Sequence, residues 1–384
     1  MIDIKNKELC CGCGVCYDIC PVKCISMVDD GEGFKYPKID KNMCIECGAC
    51  NNVCPIESGK ITNKEALNAY AAWNKDEEIR LDSTSGGVFT ALAETVISQG
   101  GIVIGAQYNE SRLVNHISID TKGEIGRLRQ SKYVQSDTNG IYKIVKKKLN
   151  LNKPILFCGT PCQTEALLRY LKGKPENLIL CDFICRGIIS PKVYNNYLSY
   201  LEGRYKAKIR KVQFKNKRYG WHRFSTKISF QNGKEYIKDR YHDSYMLLYL
   251  RENITIRPSC YKCRFKGVDR CSDITLGDFW GVDEKYLDYD NDKGTSAVIV
   301  NTDVGQRLLS SSENQLEIHP VELAEIIKGN PCIMNSPVCE RDRDKFYEQL
   351  QLKGYSYIVK KYCSTFIDDM KKGIRNVLRG VKKR

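Results

Sequence analysis

Cys10-Cys11-Gly12-Cys13-Gly14-Val15-Cys16-Tyr17-Asp18-Ile19-Cys20-Pro21 returns 34 residues later as Cys44-Ile45-Glu46-Cys47-Gly48-Ala49-Cys50-Asn51-Asn52-Val53-Cys54-Pro55. Each copy reads C-x2-C-x2-C-x3-C-P. In that spacing three thiolates wrap one face of an iron–sulfur cube, and the fourth cysteine of each run ligates the other cluster. The pattern assigns Cys10, Cys13, Cys16 and Cys54 to one 4Fe–4S cluster and Cys44, Cys47, Cys50 and Cys20 to a second. Zinc sites use pairs of C-x2-C instead of a run of four ending in proline. Gly14 and Gly48 let the backbone turn around inorganic sulfide without a Cβ in the way. Cys11 and Cys24 lie outside the register and read as bystanders. Residues 1–60 are therefore expected to be an α+β ferredoxin-type module that moves electrons one at a time.

Outward from the repeat, the 384-residue chain is long enough for two or three domains, and 42% hydrophobic residues can build a core. No run of about 18 apolar residues offers a membrane span. Met1-Ile2-Asp3-Ile4-Lys5 lacks the apolar stretch of a secretory signal, so the expected location is cytoplasmic. Ten of the twenty cysteines fall in the first 54 residues, none in 55–157, and the rest recur mostly in pairs. A reducing compartment disfavours disulfides, so that distribution points to a second metal region. The formal charge of +15 falls to roughly +9 if three clusters each carry about −2. Much of the basic excess then serves to hold anions, and nucleic acid is not an expected partner.

Residues 56–68 are polar and read as a linker. From residue 69 the pattern is α/β: the apolar runs 102–106, 154–158, 178–181 and 297–300 read as buried strands, with helices at 88–98, 162–172 and 190–202 between them. Residues 209–238 alternate in the β manner and read as an inserted hairpin. The last segment, 355–384, holds nine Lys or Arg against two Asp. Tyr362, Phe366, Met370, Ile374, Val377 and Val381 there fall on one helical stripe. Such a basic amphipathic helix can pack on the body, dock an acidic redox protein, or make peripheral contact with an anionic membrane.

Two further segments carry chemistry. Ser83-Thr84-Ser85-Gly86-Gly87 runs into the helix 88–98, where hydroxyls can cap and glycines can let a phosphate approach free N–H groups. An ordinary cap gives the same pattern. Ser131-Lys132-Tyr133 adds a cation and a stacking ring. No G-x-G-x-x-G follows a strand, and no Walker lysine motif is present. In Cys158-Gly159-Thr160-Pro161-Cys162-Gln163, Thr160 suits the cap and Pro161 the first helical position, which places Cys162 in the first turn. Cys185-Arg186-Gly187 ends another strand, and Cys260-Tyr261-Lys262-Cys263 follows. Three chemistries are compatible with these residues: one 4Fe–4S cluster, a zinc site on Cys260 and Cys263, or Cys162 as a reactive thiol. Cys158 and Cys181 read as small core residues, and Cys271 is close enough in sequence to replace a ligand.

The ordered set of the ferredoxin repeat, Ser85-Gly86-Gly87, Ser131-Lys132-Tyr133, Gly159 to Gln163, Cys185-Arg186-Gly187, Arg257-Pro258-Ser259-Cys260 to Cys263, and Gly277-Asp278-Phe279-Trp280-Gly281 resembles the coenzyme F420 hydrogenase/dehydrogenase beta-subunit family. The resemblance covers nearly all of residues 1–345. It implies a flavin-binding α/β domain over 69–345, with FAD held at 83–87 and 131–136 and a third 4Fe–4S cluster on Cys162, Cys185, Cys260 and Cys263. It also implies an oxidoreductase that couples a one-electron chain to a small organic hydride acceptor or donor, a deazaflavin in methanogens or a chlorophyll-type pigment in photosynthetic relatives. Ferredoxin or another redox protein is the implied partner. One position departs from the pattern: Arg186 follows Cys185 where histidine is usual, a fixed charge in place of a proton relay. The alternative to an enzyme is a non-catalytic electron-transfer subunit of a larger complex.

Overall fold

The computed structural model describes residues 2, 4, 6–63 and 68–364. Between the two cysteine runs, β1 (Ile25–Asp29) and β2 (Lys35–Ile39) form an antiparallel hairpin. Short helices Val15–Ile19 and Ala49–Asn52 carry the middle of each run. Each starts from a glycine in the left-handed region, Gly14 at φ 76° and Gly48 at φ 71°, a conformation that a Cβ disfavours.

The body is built on β3 (Asn68–Asn74), β4 (Ile102–Tyr108), β5 (Val114–Ile119), β6 (Ile155–Cys158) and β7 (Leu178–Phe183). A separate antiparallel sheet of β8 (Ile209–Asn216), β9 (Ser225–Phe230) and β10 (Glu235–Asp239) follows, then β11 (Ile274–Asp278), β12 (Ser296–Val300) and β13 (Leu316–Pro320). Eight strands form one sheet in the order β13-β3-β12-β11-β7-β6-β4-β5. Its centre, β11-β7-β6-β4, is parallel, while β12, β3, β13 and β5 pair antiparallel. The expected apolar runs are β4, β6, β7 and β12. Parallel strands covered on both faces need continuous apolar sequence, which makes them legible. The α/β reading holds, and the sheet is mixed at its flanks: Val114-Asn115-His116-Ile117-Ser118-Ile119 interrupts its apolar residues, so β5 does not stand out as a run.

Helices Val88–Ser98, Pro161–Leu171 and Pro191–Tyr205 lie where expected. The inserted segment is corrected from a hairpin to three strands. Its inner face joins Tyr194, Tyr197, Phe214, Tyr245 and Phe346 in one apolar cluster. The helix Arg343–Tyr362 breaks at Gly354, which has φ 71°. Tyr362, the first member of the expected stripe, packs edge-on against Phe346. The remainder of the basic tail, 365–384, lies outside the described residues. Among those described, no helix is long and apolar enough to cross a membrane.

The segment expected to be a free linker is fastened to the body. Lys60 pairs with Asp269 at 2.7 Å, Arg264 donates to the carbonyls of Ile56 and Ser58, and the Asn63 amide reaches the Ser272 carbonyl at 3.0 Å. The ferredoxin module itself is seated by polar contacts. Buried Asp18 accepts from the amides of Gly140 at 2.7 Å and Tyr142 at 3.0 Å, which caps the helix Ile141–Leu149 from across the junction. Thr138 and Tyr142 hydroxyls both donate to the Cys13 carbonyl, at 2.6 and 2.7 Å. Glu32 and Arg343 close an ion pair at the far side.

Candidate metal centres and the cleft beside them

In the repeat, Cys20, Cys44, Cys47 and Cys50 line one small cavity under the β1–β2 hairpin. These are the four cysteines that the spacing assigns to the second cluster, and Cys47 is exposed at its rim. Cys24 also lines it, its sulfur 3.4 Å from that of Cys20. The other set is gathered deeper. Cys16 lies within electrostatic reach of Cys10 and Cys54, and Cys13 of Cys16. Burial, together with these neighbouring thiols, pushes the Cys16 and Cys54 thiols up. Crowded, desolvated thiols of this kind release their protons to solvent readily only when a positively charged metal core stabilises the thiolates, so the donor set fits an iron–sulfur cube.

The second cysteine region converges as well. Cys162, Cys185, Cys260 and Cys263 line a single cavity. Cys162 and Cys185 reach it because β6 and β7 are adjacent parallel strands, and both residues follow the carboxyl ends of those strands, where ligands bind in open α/β sheets. Pro161 opens the helix as expected, and the Gln163 side-chain oxygen accepts from the Thr160 amide at 2.9 Å, one half of a capping box. The Thr160 hydroxyl lies 3.0 Å from the Cys162 sulfur. Cys260 sits in the single-turn helix Pro258–Lys262, with Cys263 immediately after it.

Arg186, Lys262, Arg264, Lys266 and Arg270 line the same cavity against one acidic residue, Glu8. Such a surround suits an anionic cluster. Contact with Cys11 and burial push the Cys162 thiol well above its ordinary range. Burial raises Cys185 to about 11 and Cys260 to about 12. An isolated reactive thiol needs the opposite shift.

The cysteine that the spacing left aside proves to be placed between the centres. Cys11 lines the larger cavity and adjoins the thiols of both Cys13 and Cys162. Cys158 and Cys181 face each other across β6 and β7 within an apolar cluster. Cys271 is buried, its sulfur 3.6 Å from the Thr164 hydroxyl.

The phosphate-type segment differs from expectation. The residue capping Val88–Ser98 is Gly87, at φ 87°, with no side-chain cap bond. The Ser83 hydroxyl donates to the Ile79 carbonyl at 2.6 Å and the Ser85 hydroxyl to the Thr295 carbonyl at 2.7 Å. A Cβ on Gly86 would collide with the Ala72 carbonyl and the Ser296 amide, so this glycine answers to the chain's own strands. Lys132 is buried, and its ammonium donates to the carbonyls of Leu128, Arg129 and Gln130 at 2.7–3.0 Å. The two segments do meet: the Ser131 amide donates to the Thr84 hydroxyl at 2.8 Å. Gln130 and Tyr133, at φ 71° and 44°, hold the loop in the left-handed region, and the Tyr133 ring packs against Phe214 and Tyr249.

The Gly277–Gly281 segment, carried in the sequence only by resemblance, has a clear local role. Asp278, at the end of β11, accepts from the Trp221 indole at 2.8 Å and pairs with buried Lys215 at 2.9 Å. Trp221 and Trp280 stack 4.7 Å apart, and the Lys215 ammonium lies 4.5 Å from the Trp280 ring centre. Neither Lys215 nor Trp221 carried a sequence signal, since one lies in β8, the other in the β8–β9 connection, and they meet Asp278 only in three dimensions.

Comparison with known proteins places the chain in a family. Residues 69–143 match the family model for the coenzyme F420 hydrogenase/dehydrogenase, beta subunit N-terminus, and residues 152–324 the model for its C-terminus. Residues 9–58 match a 4Fe-4S dicluster domain. No curated protein matches the chain. Among solved structures, a chain of the F420-reducing [NiFe] hydrogenase complex from Methanosarcina barkeri is 18% identical with a TM-score of 0.48, covering 70% of this chain and 90% of that one.

Proposed function

Because the chain belongs to the coenzyme F420 hydrogenase/dehydrogenase beta-subunit family and carries an iron–sulfur redox module, we propose that it is a three-cluster oxidoreductase. It would take single electrons from a ferredoxin or another redox protein and exchange them with a small organic two-electron acceptor such as a deazaflavin. One observation carries this reading: four cysteines from three separate segments converge on one cation-lined cavity, and the ferredoxin repeat reaches into that cavity through Cys11. Cys162, Cys185, Cys260 and Cys263 would hold the third 4Fe–4S cluster. FAD, when bound, supplies the chemistry that converts single electrons into hydride transfer. The chain's part is to bind and orient it, and the residues best placed for this are Thr84, Ser131, and the backbone amides at the start of Val88–Ser98. Ser83, Ser85, Gly86, Gly87, Lys132 and Tyr133 would shape that segment from behind.

That division of labour also favours a second reading. Since the Ser83 and Ser85 hydroxyls and the Lys132 ammonium of the expected flavin site are engaged by the chain's own carbonyls, an electron-transfer subunit without flavin fits the same geometry. Anaerobic purification and reconstitution separate the two. The enzyme reading expects about 12 irons per chain, bound flavin, and reduction of an organic acceptor by the chain alone. Cys260→Ser with Cys263→Ser should remove about a third of the iron. Thr84→Val with Ser131→Ala should release flavin from a folded protein. Iron near eight, with zinc present, would sink the third cluster. Full iron without flavin would leave the electron-transfer subunit.

A further inference from the structure

Arg257 lies in the junction between the ferredoxin repeat and the larger cavity, and its side chain is completely buried. Each of its three nitrogens donates to a neutral acceptor. Nε donates to the Cys10 carbonyl at 2.7 Å, one terminal nitrogen to the Gln135 side-chain oxygen at 2.9 Å, and the other to the Lys35 carbonyl at 3.0 Å. The guanidinium stacks over Tyr36, 4.3 Å from the ring centre, and lies 5.3 Å from that of Phe34. Among the described residues no carboxylate forms an ion pair with it. Buried Arg270 and Lys215, by contrast, face Asp182 at 3.4 Å and Asp278 at 2.9 Å.

A buried cation without a counter-charge costs several kcal/mol, so a fold that keeps one places an anion nearby. The ionisable groups within its field are Cys10, the Tyr36 phenol, Cys11 and Cys260, so an anion there has to come from the cysteines once they hold a cluster. Cys10 belongs to the first ferredoxin set and Cys260 to the third-cluster set. A cube with four thiolates is net negative and becomes more so when it gains an electron. A fixed positive charge beside it therefore stabilises the reduced form more than the oxidised one.

We propose that Arg257 is a positioning residue that raises the reduction potential of the cluster on Cys10, Cys13, Cys16 and Cys54, its buried charge being balanced by that cluster instead of by a carboxylate. The inference rests on the cluster reading above. It assigns this cluster the role of relay: the one on Cys20, Cys44, Cys47 and Cys50 sits at the exposed rim, and the relay stands between it and the third centre. One electron enters and one leaves at each stage, with no proton required of Arg257.

The test is a dithionite potentiometric titration of anaerobically reconstituted full-length protein, followed by EPR, with iron counted on the same samples. In Arg257→Gln one cluster signal should become at least tenfold harder to reduce, a fall of about 59 mV for one electron, with the other signals and the iron content unchanged. Arg257→Lys keeps the charge but loses the fork, and its potential should stay near the wild-type value. Unmoved signals in Arg257→Gln would overturn the proposal. Should that variant fail to fold, Arg257→Lys decides: a drop of the same tenfold size there would mean that the hydrogen bonds, not the charge, set the potential, and the proposal falls. Wild-type iron near four, or zinc in its place, would instead overturn the cluster reading itself.

Discussion

A thiol can line a cluster cavity without holding a ligand's place in the repeat. Cys24, 3.4 Å from Cys20, and Cys11, beside Cys13 and Cys162, are both placed this way, which makes five thiols where a cube needs four. The proline that follows Cys20 and the shared register with Cys54 favour Cys20 over Cys24 as the ligand. The expected outcome is that Cys11→Ala and Cys24→Ala keep the full iron content, whereas Cys20→Ala loses about a third of it. Iron counted per chain after reconstitution checks this, and a loss in Cys24→Ala with retention in Cys20→Ala would reverse the assignment.

At the scale of elements, the helix Ile141–Leu149 begins at Gly140, which has no side chain to cap it. The cap comes instead from Asp18 in the ferredoxin module, through two amide contacts. A helix start and a module junction thus share one carboxylate. Asp18→Ala should cost about 1–2 kcal/mol, seen as a lower Tm, with proteolysis between the modules accelerated. Asp18→Asn, keeping one acceptor oxygen, should cost less. Equal stability of all three proteins would mean that the junction is held by its other contacts, those of Thr138 and Tyr142 to Cys13 among them.

For the whole molecule, acid stability has an identifiable contributor. His116, in β5, is 7% exposed, stacks on Phe157 at 5.7 Å, and neither ring nitrogen has a hydrogen-bond partner. Burial lowers its pKa from the model-compound value of 6.5 to about 4. The folded chain therefore refuses a proton that the unfolded chain accepts, so its contribution is full above about 6.5 and is lost as pH falls towards 4. The loss amounts to about 3 kcal/mol at the acid end. His116→Leu should flatten unfolding free energy between pH 6.5 and 4, measured by denaturant titration. An unchanged slope would place the acid sensitivity elsewhere, in the cluster thiolates first.

The ferredoxin module was legible in the linear chain because cluster ligation there is local: three ligands per cube lie within one helical turn or two, and glycine and proline punctuate the run. The central strands were legible because burial on both faces demands unbroken apolar sequence. The third cysteine set is different. Residues 162, 185, 260 and 263 share a cavity only because β6 and β7 lie side by side and the Pro258–Lys262 turn folds back onto their ends. Nothing in the spacing encodes that convergence: the residues left one cluster beside a zinc site and a reactive thiol, and the resemblance singled the cluster out. The Ser83–Gly87 segment shows the limit from the other side. A hydroxyl or glycine beside a helix start has the same sequence signature whether it faces a phosphate or its own chain, and here strand packing against Ala72, Thr295 and Ser296 claims Ser85 and Gly86. Arg257 likewise carries no sign in sequence of its lost solvent or missing carboxylate. Burial and the absence of a counter-charge are properties of the assembled fold, because they depend on what every other element brings within a few ångströms.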